Sequence, residues 1–278
     1  MYEVTEINNA DTILRAGASL GEVRHLEDGA IPFIVIPEGY TAQEVEQYLD
    51  QPARKRGSVV TTDTDSFIFY TKKHGSLDDC TVYAEINSEH SVFNLVAVIN
   101  DHGADKAQWR DHRCTFKPKQ AVEWARWMGK NKAVMSQADF ATWLEDNLPD
   151  IASVAGMPTG TEILTMALAF EANSDKRVKS RINLQNGGVQ FEFVEDENKD
   201  TRTTMKVFER FTIGVPVFDG SANAYPIEAR LKYREKDGKV NFWFELIRPD
   251  RVFKTAVMEE LAAIKTSTGF PVISGKPE

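Results

Sequence analysis

Residues 227–234 alternate apolar and charged at every step. A strand of that period puts Ile227, Ala229, Leu231 and Tyr233 on one face and Glu228, Arg230, Lys232 and Arg234 on the other. Asp237-Gly238 follows, and Asp-Gly suits a type I′ turn because both central residues take positive φ. The return run, residues 240–247, carries Phe242, Phe244 and Leu246 at alternate positions. A two-residue loop sets the register: Tyr233 faces Phe242, Leu231 faces Phe244 and Ala229 faces Leu246 on the apolar side. On the other side Lys232 meets Trp243 and Arg230 meets Glu245. Both strands nominate the same buried face, so a hairpin over 225–249 organises the C-terminal part of the chain.

The remaining pattern predicts an α+β fold of antiparallel sheets with flanking helices. Residues 11–16 read as one or two helical turns, and 31–37, fenced by Pro32 and Pro37, as an edge strand. Thr41 and Glu44 form a capping box for a helix through Leu49. Residues 58–62, 81–86 and 92–99 read as strands of a meander with helical insertions. Between them, 65–74 reads as a short helix begun by Asp65. Pro118 stands where a helix begins, with Ala121, Val122, Ala125 and Met128 as its apolar stripe. Ser136 with Asp139 opens another, with Phe140, Trp143, Leu144 and Leu148 on one face, and Thr159 with Glu162 opens a third over 163–171. Strands at 182–184 and 189–193, then one long or two shorter strands over 206–218, lead into the hairpin as an antiparallel meander of five strands. Asp250 caps a closing helix whose Phe253, Val257, Leu261 and Ile264 share a stripe. It ends near Gly269 and covers the hairpin, and the tail over 271–278 is extended. This divides the chain into an N-terminal arm (1–30), a mixed part (31–150) and a helix-plus-sheet part (159–278), the last two either separated at 151–158 or continuous.

Apolar content of 42% over 278 residues supports a substantial core. The net charge of −9 argues against a general grip on duplex nucleic acid, which needs an excess of Lys and Arg, and leaves room only for local basic patches. No run of about 18 apolar residues is present, so no membrane-spanning helix is expected. Two cysteines, Cys80 and Cys114, fit free thiols in a reducing compartment, hence a cytoplasmic protein.

Candidate chemistry is sparse. His74, His90, His102 and His112 fall near Cys80, Asp101, Asp105, Asp111 and Cys114, but no spacing matches a metal signature. Cys114 beside His112 suggests a thiol nucleophile, yet the helix that would lower its pKa begins too late. Asn186-Gly187-Gly188 reads as a hairpin turn rather than a phosphate loop. Trp124, Trp127 and Trp143 suit packing. Arg54-Lys55-Arg56 reads either as a phosphate hold or as an exposed loop. No catalytic, metal or cofactor-binding residue is nominated. The interaction candidates are Arg230, Lys232, Arg234 and Trp243 on the outer face of the hairpin, which serves either as an anion or single-strand surface or as a solvated sheet face.

Several stretches together resemble the YfdQ-like family of prophage-encoded proteins: Gln51-Pro52-Ala53-Arg54-Lys55-Arg56-Gly57-Ser58 with Asp65-Ser66-Phe67, then Phe116-Lys117-Pro118, Phe244-Glu245-Leu246-Ile247-Arg248-Pro249 and Thr268-Gly269-Phe270-Pro271-Val272. The resemblance spans essentially the whole chain and contains no catalytic signature. It implies a phage accessory protein acting inside the host cell. The functional expectation is a non-enzymatic protein that forms a homo-oligomer and binds host or phage macromolecules. An accessory of phage recombination or replication that holds single-stranded nucleic acid is the alternative. A metal-dependent hydrolase using the region from His74 to His112 is the third.

Overall fold

The computed structural model describes residues 9–20, 34–36, 39, 41, 46–172, 177–182, 189–194, 202–206, 208–236 and 239–278. In chain order the elements are α1 (Asn9–Leu20), β1 (Gly57–Thr61), α2 (Thr64–His74), β2 (Thr81–Asn87), β3 (Val92–Val98), β4 (His112–Phe116), α3 (Val122–Lys130), β5 (Met135–Ser136), α4 (Gln137–Asp146), α5 (Gly160–Ala172), β6 (Arg177–Ile182), β7 (Val189–Val194), β8 (Arg202–Lys206), β9 (Arg210–Val215), β10 (Tyr225–Lys236), β11 (Lys239–Leu246), α6 (Pro249–Thr268) and β12 (Val272–Ser274). Two compact units are present, Met1–Lys55 and Arg56–Glu278. In the first, α1 extends the helical turns expected at 11–16, and a short 3-10 turn, Glu46–Tyr48, stands where a helix was expected. The Glu46 carboxylate there accepts from the Ala53 amide at 2.9 Å. Ile34, Val35 and Ile36 do not form the predicted strand; Ile31–Phe33, Pro37 and residues 42–45 lie outside the described residues.

In the second unit the predicted strands at 58–62, 81–86 and 92–99 are β1, β2 and β3, but their sheet is not a simple meander. Its order is β1-β4-β3-β2-β12. β2, β3 and β4 pair antiparallel, while β1 lies parallel to β4 at one edge and β12 parallel to β2 at the other. The parallel pairing of β1 needs a crossover, which α2, β2 and β3 supply. The extended tail was legible; its place as a strand was not, because Val272-Ile273-Ser274 is too short to show a period. α2 starts two residues earlier than Asp65 implies: Asp63, in extended conformation, caps it by accepting from the Ser66 amide at 2.7 Å.

The hairpin follows the predicted register: Ala229 pairs with Leu246, Leu231 with Phe244, Tyr233 with Phe242, and Lys236 closes on Lys239. The turn residues Asp237 and Gly238 lie outside the described residues. The expected five-strand meander is split, since β6-β7-β8 form one antiparallel sheet and β9, β10, β11 and β5 another. Asn186-Gly187-Gly188 also lies outside the described residues. On the inner face of the second sheet, Phe140 stacks on Phe242 at 5.0 Å and Trp127 packs on Phe244 at 5.1 Å.

α3 begins at Val122 rather than at Pro118. Its stripe is also corrected: Trp124 and Trp127 are buried while Val122 and Ala125 are exposed, because the two indoles lie three apart on one face and bury far more area. Ser136 caps α4 as predicted, accepting from the Asp139 amide. The Thr159–Glu162 box is reciprocal, each side chain accepting from the other's amide. α6 covers the inner side at the Tyr225 end of β10, with Phe253, Ala256, Val257 and Ile264 buried and Tyr225 donating to Glu259. It starts at Pro249, after Arg248 in left-handed conformation, and Asp250 makes no cap. Gly269, at φ 73, ends it. Ile151, in the stretch singled out as a boundary, is buried and bridged to Ile213.

Candidate functional site: the outer faces of two sheets

β9 pairs with β10 from Tyr225 to Arg230 and β11 pairs with it from Ala229 to Lys236, so Arg230 has a strand on each side while Lys232 and Arg234 lie beyond the β9 ladder. Arg230, Lys232 and Arg234 stand on the outer face at every second position, all exposed. The strand rise places successive cations roughly 7 Å apart. Trp243 lies directly across from Lys232 and is half-buried, and the Arg234 guanidinium stands 6.0 Å from its ring centroid. Register brings a fourth cation that sequence reading did not nominate, Arg210 on β9, opposite Arg230. Arg210 is tied to Glu228 at 2.7 Å. Glu245, opposite Arg230, and Glu228, two residues before it on β10, are acids that share this face. The four nominated residues therefore share one face, and that face combines a cation row with an aromatic ring.

The outer face of the first sheet is the second polar surface, and sequence reading missed it. Cys114 and Phe116 point inward while Arg113 and Thr115 point outward; that alternation in His112-Arg113-Cys114-Thr115-Phe116 was the available signal. Asp101 is buried and takes three donors: Tyr83 Oη at 2.8 Å, Arg110 Nε at 2.8 Å and the His102 amide at 2.9 Å. Burial pushes the Asp101 carboxyl up, but these bonds, one from Thr81 and the Arg110 charge outweigh it, so the carboxyl is held below its ordinary range. Burial and the adjoining carboxylate push Tyr83 up. The residues of 275–278 then cross this face. The Gly275 amide donates to Ala84 O, Lys276 pairs with Glu85 at 2.8 Å, and Arg113 Nη2 donates to the main-chain oxygen of Glu278 at 2.7 Å.

Of the histidines between 74 and 112, two meet. The His74 and His112 rings lie 5.4 Å apart, and Tyr70 Oη is 3.0 Å from His112 Nε2. Among the described residues no three of His, Cys, Asp and Glu are placed to hold a metal ion. Cys80 and Cys114 are buried, free thiols, and burial pushes them up to about 12 and about 11, the opposite of an activated nucleophile. Trp124 and Trp127 are packed in the core and Trp143 lies against it, while Lys55 and Arg56 are exposed in the coil entering β1.

A family model for uncharacterized conserved proteins, DUF2303, matches residues 6–277. The chain belongs to the DUF2303 family. The match takes in both surfaces, the hairpin and all but the last residue of the segment that crosses the first sheet. Among curated proteins nothing matches this DUF2303 member, nor does any solved structure. Among the described residues no helix is long and apolar enough to cross a membrane.

Proposed function

We propose that this DUF2303 protein is a non-enzymatic accessory of phage or prophage origin that acts inside the host cell by binding. Its ligand is single-stranded nucleic acid, held on the outer face of β10 and β11 in the service of recombination or replication. The observation that supports this reading is the row Arg230, Lys232, Arg234 with Trp243 beside it. An extended sugar–phosphate chain can follow cations repeating along a strand, and an indole offers a base a stacking surface without selecting sequence. The chain's overall negative charge disfavours indiscriminate binding and confines the grip to this face. The phage setting rests on the YfdQ-like wording of the stretches quoted above.

Fluorescence anisotropy with a labelled oligo-dT tests the proposal. Saturable binding is expected that weakens as salt rises, with a slope near −2 in log K against log salt for about three phosphate contacts. Reversal of Arg230, Lys232 and Arg234 to Glu should abolish it. Binding that survives the reversal removes this face from the account.

Self-association is a second reading, favoured by a different feature. β1 ends its sheet with β4 as its partner there, and Val60 on it is 61% exposed, an edge suited to pairing with a second copy. Light scattering behind size-exclusion chromatography should give a dimer or larger particle that Val60→Lys weakens. A stable monomer at micromolar concentration contradicts it.

A further inference from the structure

The outer face of β2, β3 and β4 carries a half-open hollow of about 430 Å³ between the strands and residues 275–277, within the size range of small-ligand pockets. Its charge is unevenly spent. Glu85 is neutralised by Lys276, and Asp101, behind it, by Arg110. Lys117 lines the hollow, and among the described residues it has no ion pair. Arg113, half-buried, gives Nε to the Arg110 carbonyl at 2.7 Å and Nη2 to the Glu278 main-chain oxygen, also at 2.7 Å. The Glu278 oxygen thus occupies the position an external anion's oxygen would take on the guanidinium. Ser58, Asn94 and Thr115 add neutral hydrogen-bonding groups around it.

We propose that this hollow is a binding site for a small phosphate-bearing ligand. Arg113 and Lys117 supply the charge, the hydroxyl and amide groups orient the ligand, and residues 275–278 form a displaceable roof. A guanidinium with its edge directed at an oxygen is suited to the paired oxygens of a phosphate, and a nearby ammonium adds a point charge. The Gly275 amide ties the start of the roof to Ala84 O, and beyond that bond it is held by polar side-chain contacts: Lys276 is 71% exposed and Glu85 37%. Such pairs are individually weak, so an incoming anion can take the place of the Glu278 oxygen. This surface lies on a different sheet from the hairpin and does not depend on it.

Isothermal titration of the full chain, at fixed ionic strength with chloride as control, uses inorganic phosphate and adenosine monophosphate as probes. At least one probe should bind saturably with Kd below about 1 mM. Tighter binding of the monophosphate assigns the site to phosphate esters, and equal binding assigns it to phosphate itself. Lys117→Gln, on an exposed side chain, and Arg113→Gln should each weaken binding tenfold or more. Glu85→Gln, which removes the opposing carboxylate and unties Lys276, should tighten it at least threefold, a gain that loss of folding cannot imitate. Lys254→Gln, on the exposed side of α6 and outside both surfaces, should leave it unchanged. Absence of saturable binding by either probe, or binding indifferent to Lys117 and Glu85, overturns the proposal.

Discussion

Asp101 takes hydrogen bonds from a phenol, a guanidinium and an amide at once, and it carries the most directly measurable single-residue consequence. Asp101→Asn keeps the shape but removes the charge that Arg110 faces. It should cost about 2 kcal/mol at neutral pH, the usual size for hydrogen bonds to a charged group, measured by urea unfolding. Because the folded carboxyl is held below its ordinary range, its contribution is present above the unfolded value near pH 4 and is lost as pH falls through the lower folded value. The gap between wild type and Asp101→Asn should therefore narrow in acid, and a gap constant down through that window would contradict the assignment. The thiols give a second check. With Cys80 and Cys114 buried and raised to about 12 and about 11, native protein at pH 8 should leave both unreacted with Ellman's reagent, whereas denatured protein should titrate two.

At the level of elements, the hairpin separates packing from surface. Phe244 is fully buried and meets Trp127 and Trp143 at 5.1 and 5.2 Å, so Phe244→Ala should lower stability by about 3–5 kcal/mol. Lys232 on the opposite face should change it by no more than about 0.5 kcal/mol when replaced by Ala. Equal effects in thermal or urea unfolding would mean the two faces are misassigned. Gly269 ends α6 at φ 73 with Leu77 close by, and Gly269→Ala should cost about 1–2 kcal/mol from the left-handed conformation alone. These features were legible because each is local: a period of two, a tight turn that sets register, a cap three residues from its partner. What was not legible depends on distant chain. The partner of β1 comes from beyond β3, and β12 from the far end of the sequence. The indoles of α3 go inward because the aromatic layer of Phe211, Phe244 and Phe253 receives them, which the small residues Ala121 and Ala125 gave no hint of. β9 parts from β8 because it pairs with β10 instead.

For the whole molecule, the surfaces follow from that topology. The cation row on β10 could be read from sequence because all its members lie within one hairpin, while Arg210 joined it only through strand pairing. The first sheet's hollow needed β4, β2 and residues 275–277 brought together, so no local pattern announced it. The two surfaces predict separable behaviour: single strands on the hairpin with a marked salt dependence, and small phosphate ligands on the first sheet. Photocrosslinking of the intact protein to oligo-dT, followed by peptide mapping, asks most directly where a strand lies. Adducts should concentrate on Trp243 and its neighbours in β10 and β11 and disappear when Arg230, Lys232 and Arg234 are reversed. Adducts concentrated elsewhere, on Tyr83 or Trp109 for example, with the hairpin unmarked, would contradict the assignment of the hairpin as the binding face.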